Sequence, residues 1–269
     1  MRYRLLIEYA GTRYSGWQIQ KNARTVQGEL NQALAKAAGG RVETYGSGRT
    51  DAGVHALGQV AHADVARALP PATLVARTND ALPPDINVLS ADRVPARFHA
   101  RHQAVARSYV YQVTLRRTAF FKPFVWWVRE PLDADRLEAA ARRLSGFQDY
   151  RAFTDDDPDE KSTRVLVEGI TVRVHGALVL IRVVGSHFLW KMVRRLVGVM
   201  VECGRGGLAP DAIPGLLAGG GDLPARLTAP ASGLFLERVF YDPPPADWPL
   251  DPPLLRLPAP EKSVPPGRT

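Results

Sequence analysis

An arginine and an aspartate stand two residues apart in the glycine-bounded run Gly46-Ser47-Gly48-Arg49-Thr50-Asp51-Ala52-Gly53-Val54-His55, between two segments patterned as strands. Loops so placed aim side chains into clefts and commonly hold functional groups. An ionised carboxylate there has the chemistry of a nucleophile or a general base. Asp-x-Gly is equally the pattern of a side-chain turn onto the local backbone, and a lone Arg49 that of a solvated charge. Tyr109 and Tyr111 share one face of a later strand. A tyrosine there serves as core or, in a protein that holds unstacked RNA, as a surface for a base. His55, His62, His99 and His102, with Asp51 and Asp64, show ligand-like spacings. They lie on separate segments without a zinc signature, so no metal site is expected.

The elements that must position these groups are legible as periodicity. Arg2 to Ala10 reads as a strand that Gly11 to Gly16 breaks, and Tyr14 and Trp17 follow in a loop. Thr25 is an N-cap type ahead of a helical stripe at Val26, Leu30, Ala33, Leu34 and Ala37, closed by Gly39 and Gly40. Arg41 to Tyr45 and Gly58 to Val65 read as strands flanking the Asp51 loop. Past the turn-rich Leu82-Pro83-Pro84-Asp85, alternating Val105, Tyr109, Tyr111, Val113 and Leu115 mark a strand over Ala104 to Leu115. Asp133 can cap a helix bearing Leu137, Ala140, Ala141 and Leu144 that Gly146 ends, and Arg164 to Val174 with Leu178 to Val184 forms a hairpin about His175-Gly176. Ser186 is expected to open a last helix, to about Val201, with most of its charges, Lys191, Arg194, Arg195 and Glu202, in solvent.

The order strand, helix, strand, strand thus recurs. The expected fold is α+β: two related units, residues 1–103 and 104–242, with antiparallel sheets packed edge to edge. Residues 243–269 are Pro-rich without apolar periodicity and are expected to form a loosely ordered tail.

Composition bounds the function. A chain of 269 residues with 45% hydrophobic content can bury a sizeable core. Its 35 Lys and Arg against 27 Asp and Glu give a formal charge of +8, which favours a polyanionic partner, nucleic acid first. No apolar run approaches the roughly 20 residues of a membrane span, and no signal peptide is apparent. The single cysteine, Cys203, excludes an intrachain disulfide and a cysteine-cluster metal site, as in a reducing cytoplasm, and reads as a small core residue.

The run Gly46 to Ala56 resembles the hallmark G-x-x-R-T-D-x-G-V-H-A loop of the tRNA pseudouridine synthase A (TruA) family. The resemblance continues in order through Tyr9 to Gln18, Thr25 to Leu30, Leu82 to Ile86, Phe98 to Arg101, Ala106 to Tyr111, Asp149 to Phe153, Phe188 to Arg194 and Ala229 to Leu234. It spans about residues 3 to 241, departing at Trp190 and Lys191, where a His-Asn or similar pair is common, and in the Pro-rich tail. Matches of this extent are far more specific than one short motif.

The resemblance implies one extended sheet around a central cleft with helices on one face. It implies an isomerase that converts uridine to pseudouridine at positions 38, 39 and 40 of the tRNA anticodon stem-loop, needs no cofactor and works as a homodimer. Asp51 takes the place of the family's catalytic aspartate, and Tyr109 that of the tyrosine that stacks on the target base. Arg194 takes the place of the basic residue paired with the aspartate, and Arg49 that of the arginine that helps extrude the nucleotide, since C1′ and C5 are inaccessible in a stacked duplex. Arg195 is then expected as a solvent or phosphate contact, and Arg13, Lys21, Arg24, Arg77, Arg101 and Arg107 as possible lining of a phosphate groove.

Two other readings compete. A non-catalytic RNA-binding module would use the charge with Tyr109 and Tyr111 as a stacking platform, leaving Arg49-Thr50-Asp51 and Arg194 unexplained. A metal-dependent hydrolase built on the His and Asp residues would be abolished by chelators.

Overall fold

A computed structural model describes residues 1–219 and 221–253. The first strand, β1 (Arg2–Tyr9), alternates as its sequence does, turning Tyr3, Leu5, Ile7 and Tyr9 into the core. The helix α1 (Val26–Ala38) is capped by the Thr25 hydroxyl, which accepts from the Gly28 N–H, and stops at Gly39 with φ at 70°. Next come β2 (Thr44–Gly46) and the long β3 (His55–Asp64), which pairs antiparallel with both β1 and β2. A helix α2 (Pro71–Ala81) and a strand β4 (Ile86–Arg93), antiparallel to β1, complete the first half.

The second half opens with β5 (Ala106–Thr114), buried along its whole length, and a two-residue strand β6 (Trp126–Trp127) beside it. Asp133 caps α3 (Ala134–Arg143), which is followed by β7 (Gly146–Asp149). The hairpin β8 (Arg164–His175) and β9 (Leu178–Gly185) forms where the alternation predicts it. After it come α4 (Met192–Gly204), two short helices α5 (Ile213–Leu217) and α6 (Leu223–Arg226), and a last strand, β10 (Leu234–Phe240).

One sheet results, in the order β4-β1-β3-β10-β5-β9-β8-β7. The strand that joins its halves is the last: β10 runs parallel to β3 at Phe235 and Leu236 and antiparallel to β5. A single large core takes in residues of α1 to α5 and the inward face of the sheet, Tyr109, Tyr111 and Val113 included. On the opposite face of β5 a smaller cluster of Val110, Leu178 and Leu180 is covered by non-helical chain, Val125 and Leu250. The helices therefore lie on one face, as expected, and Cys203 is a buried residue of α4. Among the described residues no helix is long and apolar enough to cross a membrane.

Two local expectations are corrected. Only Thr44 to Gly46 of the stretch from Arg41 is strand. The last long helix starts at Met192 rather than Ser186, because side chains of the 154–156 turn hold the chain before it. Asp156 accepts from the Trp190 N–H at 2.9 Å, the Thr154 hydroxyl donates to the Trp190 carbonyl, and Lys191 then turns left-handed, φ 61°. Past β10 the described chain has no regular element, yet Trp248 meets Phe240 edge-on and Leu250 is buried. Residues 254–269 of the expected tail lie outside the described residues.

Candidate active site

The loop between β2 and β3 is gripped by its neighbours. Gln59 of β3 donates to the Gly48 carbonyl at 2.8 Å and accepts from its N–H. The buried Thr50 hydroxyl meets the Tyr9 hydroxyl at 2.8 Å, while the Trp17 N–H donates to the Thr50 carbonyl. Two glycines after β1 permit this closeness: a Cβ on Gly11 would sit 1.9 Å from the Val54 carbonyl oxygen, and one on Gly16 2.6 Å from that of Thr50. A backbone bond from the Val54 N–H to the Asp51 carbonyl closes a tight turn, with Gly53 at φ 80°.

The Asp51 side chain is thereby left to point outward. Its Oδ2 accepts from the Arg194 guanidinium at 3.1 Å, across 143 residues of sequence. No other hydrogen bond to that carboxylate is present among the described residues, so the Asp-x-Gly turn is made by backbone and the second carboxylate oxygen is free. Arg194 is fixed at its other edge, where Nε donates to the Ala229 carbonyl at 2.7 Å and the Ala229 N–H returns a bond to the Arg194 carbonyl. Segment 227–229 lies so close to α4 that a Cβ on Gly198 would be 1.7 Å from the Leu227 carbonyl oxygen.

Tyr109 is buried against Phe188, edge-on at 5.2 Å, and its hydroxyl lies over Gly48 with no hydrogen-bond partner among the described residues. Burial pushes that phenol up to about 12; the Arg107 charge opposes the shift and Asp51 reinforces it. Tyr111 is spoken for: its hydroxyl donates to the Pro230 carbonyl at 2.7 Å. Arg49 is exposed and without an ion pair among the described residues.

Three basic or metal-like candidates take other positions. Arg195 is buried rather than solvent-facing: it pairs with Asp155 and donates to the Thr154 carbonyl at 2.6 Å. It lies one residue past Arg194, which turns its side chain about 100° around α4 into the protein. Arg107 is likewise no groove cation, donating to the carbonyls of Arg101, Ala104, Ser186 and Ser47 and to the Ser47 hydroxyl. It thus ties the Asp51 loop to the chain before β5 and to the approach to α4. The signal was an arginine on the otherwise apolar and aromatic strand face of Val105, Tyr109, Tyr111, Val113 and Leu115, where a buried cation must be repaid with hydrogen bonds. The histidines serve the backbone. His55 Nδ1 accepts from the Gly11 N–H and its Nε2 faces the Pro123 carbonyl, and His62 Nδ1 accepts from the Ala100 N–H. Among the described residues no three His, Cys, Asp or Glu converge as metal ligands.

A carboxylate with one free oxygen, an anchored guanidinium beside it and an unpartnered phenol over the same loop are groups suited to acid–base or nucleophilic chemistry, in a protein whose charge suits a polyanionic partner. A sequence model of the tRNA pseudouridine synthase family matches residues 5–103 and 140–242. The chain is 40% identical to tRNA pseudouridine synthase A of Geotalea uraniireducens over 240 residues, 88% of this chain and 98% of that protein. It is 42% identical to the protein of that name from Syntrophotalea carbinolica, over 89% of this chain and 96% of the relative, and 40% identical to that of Rhodopseudomonas palustris BisA53, over 90% and 99%. The chain belongs to the tRNA pseudouridine synthase family.

Proposed function

We propose that this protein isomerises uridine to pseudouridine at positions 38, 39 and 40 of the tRNA anticodon stem-loop, with Asp51 as its catalytic residue. The observation that carries the reading is the free carboxylate oxygen of Asp51, on a carboxylate whose other oxygen is held by Arg194, in a loop over which the unpartnered Tyr109 hydroxyl lies at Gly48. The reaction breaks the bond from C1′ to N1 of uracil and forms one from C1′ to C5; C5 gives up its proton and N1 gains one. The free oxygen of Asp51 is available to attack C1′ or to take a proton from C2′. The Arg194 guanidinium, by its contact at 3.1 Å, orients the carboxylate for either role. Tyr109 stacks on the uracil and its hydroxyl serves the proton at C5; Arg49 meets the RNA backbone as the nucleotide is extruded. With a rigid loop and an anchored arginine, positioning and electrostatics supply the barrier reduction.

The two halves, 1–103 and 104–242, are read as related units, and the enzyme as a cytoplasmic homodimer. The single cysteine is in keeping with a reducing compartment, and a dimer would present the basic surface of two chains to one tRNA. Tritium release from tRNA transcripts carrying [5-³H]uridine, in excess EDTA, tests the reading. Release by the wild type and none by Asp51→Asn is expected. No release by a folded, tRNA-binding wild type would sink it in favour of a binding module.

A further inference from the structure

Beside the catalytic loop lies a cluster for which the chemistry above has no use. Tyr45, on β2 two residues before Ser47, is 50% exposed, and its ring stacks on His62 at 5.1 Å. His62 meets His99 edge-on at 4.7 Å, and His99 meets His102 at 4.2 Å. Four rings thus run in unbroken contact over the buried His62, with Tyr45 and His102 exposed at the two ends. A tyrosine needs no such footing to sit on a surface; a footing of this kind holds its ring in one plane.

Two of the histidines, His62 and His99, are braced by bonds that their ring nitrogens accept from the backbone. His62 Nδ1 accepts from the Ala100 N–H, and His99 Nδ1 from the N–H groups of Arg101 and His102. Burial holds both below the usual histidine range, and the charge of Arg2 adds to the effect at each. Arg2 is itself neutralised by a two-pronged pair with Asp64, and the Tyr45 hydroxyl reaches Glu43 at 3.4 Å. Arg101 is the exposed cation of the cluster and has no ion pair among the described residues.

The cluster is also fastened to the catalytic cleft. Arg107 donates to the Arg101 carbonyl at 2.8 Å, to the Ser47 carbonyl and hydroxyl at 3.2 Å, and to the Ser186 carbonyl at 2.9 Å. Ser47 begins the Asp51 loop, and two residues past Ser186 stands Phe188, against Tyr109. One buried guanidinium therefore sets the platform, the loop and the base-stacking tyrosine in a fixed relation.

We propose that Tyr45, on its pile of imidazoles, is a second stacking site for RNA: a base other than the one isomerised lies on the Tyr45 ring, and a phosphate of its strand meets Arg101. An exposed aromatic face with an exposed cation in the same cluster is how single-stranded nucleic acid is held without reading sequence. The site rests on the tRNA reading above and adds a contact outside the reacting nucleotide.

Equilibrium binding of a fluorescently labelled tRNA transcript to the full-length protein tests it. Tyr45→Ala is expected to raise Kd at least fivefold, the low end of what one base stacked on an aromatic contributes, about 1 kcal/mol. Tyr45→Phe, which keeps the ring, should bind as the wild type does. Arg101→Gln should lower the slope of log Kd against log salt by about one phosphate contact. Tyr45→Ala binding within twofold of a wild type that forms pseudouridine would overturn the platform alone. A wild type that neither binds nor isomerises tRNA would overturn the tRNA reading and the platform with it.

Discussion

Two arginine–carboxylate pairs flank the centre of the sheet, one on each face, and they are built for different ends. On the reverse face of β5, Arg182 grips Glu237 with two prongs, at 2.8 Å and 2.5 Å, with their side chains 4% and 17% exposed. Every neighbour adds a bond: Ser108 donates to Glu237, and Arg182 donates to the carbonyls of Trp248 and Pro249 while the Trp248 ring covers it. On the helix face, Arg194 touches Asp51 through one contact at 3.1 Å, with side chains 17% and 24% exposed. The first pair is saturated and holds the sheet and the chain after β10 together. The second is left one oxygen short of saturation, and that oxygen is the one the proposed reaction uses. A planar guanidinium fits a carboxylate by two parallel bonds when nothing opposes it. Here Ala229 occupies one edge of Arg194 and keeps the pair to a single contact.

The largest effect that would break this contrast falls on chemistry. Asp51→Asn should lower kcat for pseudouridine formation on the order of 10³-fold, as loss of a nucleophile or base does, with the melting temperature nearly unchanged. Glu237→Gln should do the reverse. It leaves a buried cation without its counter-charge, at about 3 kcal/mol in urea unfolding, and keeps turnover per folded molecule within about twofold. If Glu237→Gln cost activity and Asp51→Asn cost stability, the division between the pairs would be wrong. Arg194→Lys sharpens the point: it keeps the charge but cannot hold Asp51 and Ala229 together, and kcat should drop about thirtyfold with little change in KM. Arg49→Ala, at an exposed and unpaired cation, should raise KM for tRNA about tenfold, the worth of one charge-assisted hydrogen bond.

A further effect shows only on acidification. Burial first, then the charges of Arg2 and His99, lowers His62 to about 4 from 6.5. The folded protein then binds fewer protons than the unfolded chain between those values. The stability this contributes is complete above pH 6.5 and is lost as pH falls towards 4, by at most about 1.4 kcal/mol per pH unit. His62→Gln, which can still accept from the Ala100 N–H, should flatten the fall of melting temperature over that window.

The elements nearest the site were readable because their signals are local. Thr25 caps α1, Gly39 ends it, and the alternation of β1, β5, β8 and β9 is in the residues themselves. The short α2, with Leu74 and Thr78 as its buried residues, carries too thin a stripe to stand out, and β10 gives no hint of its neighbours. Lys191 shows the same limit in small: a helix that periodicity would open at Ser186 waits until Met192 because residues 154–156 hold the chain before it.

By itself, then, the sequence determined the α+β class, the basic character and the loop that carries Arg49 and Asp51, since these depend on residue types and on spacings along the chain. The resemblance already pointed to Arg194 as the partner of Asp51; only the tertiary structure decided that Arg195 turns inward onto Asp155, that Tyr109 keeps a free hydroxyl while Tyr111 spends its own on Pro230, and that Arg107 is a buried brace. Adjacent residues on a helix diverge by about 100°, and alternate residues on a strand share a face but not their neighbours. Which of two similar side chains is left unsatisfied depends on chain more than 100 residues away, here Pro230 and Asp51, that folding brings within reach.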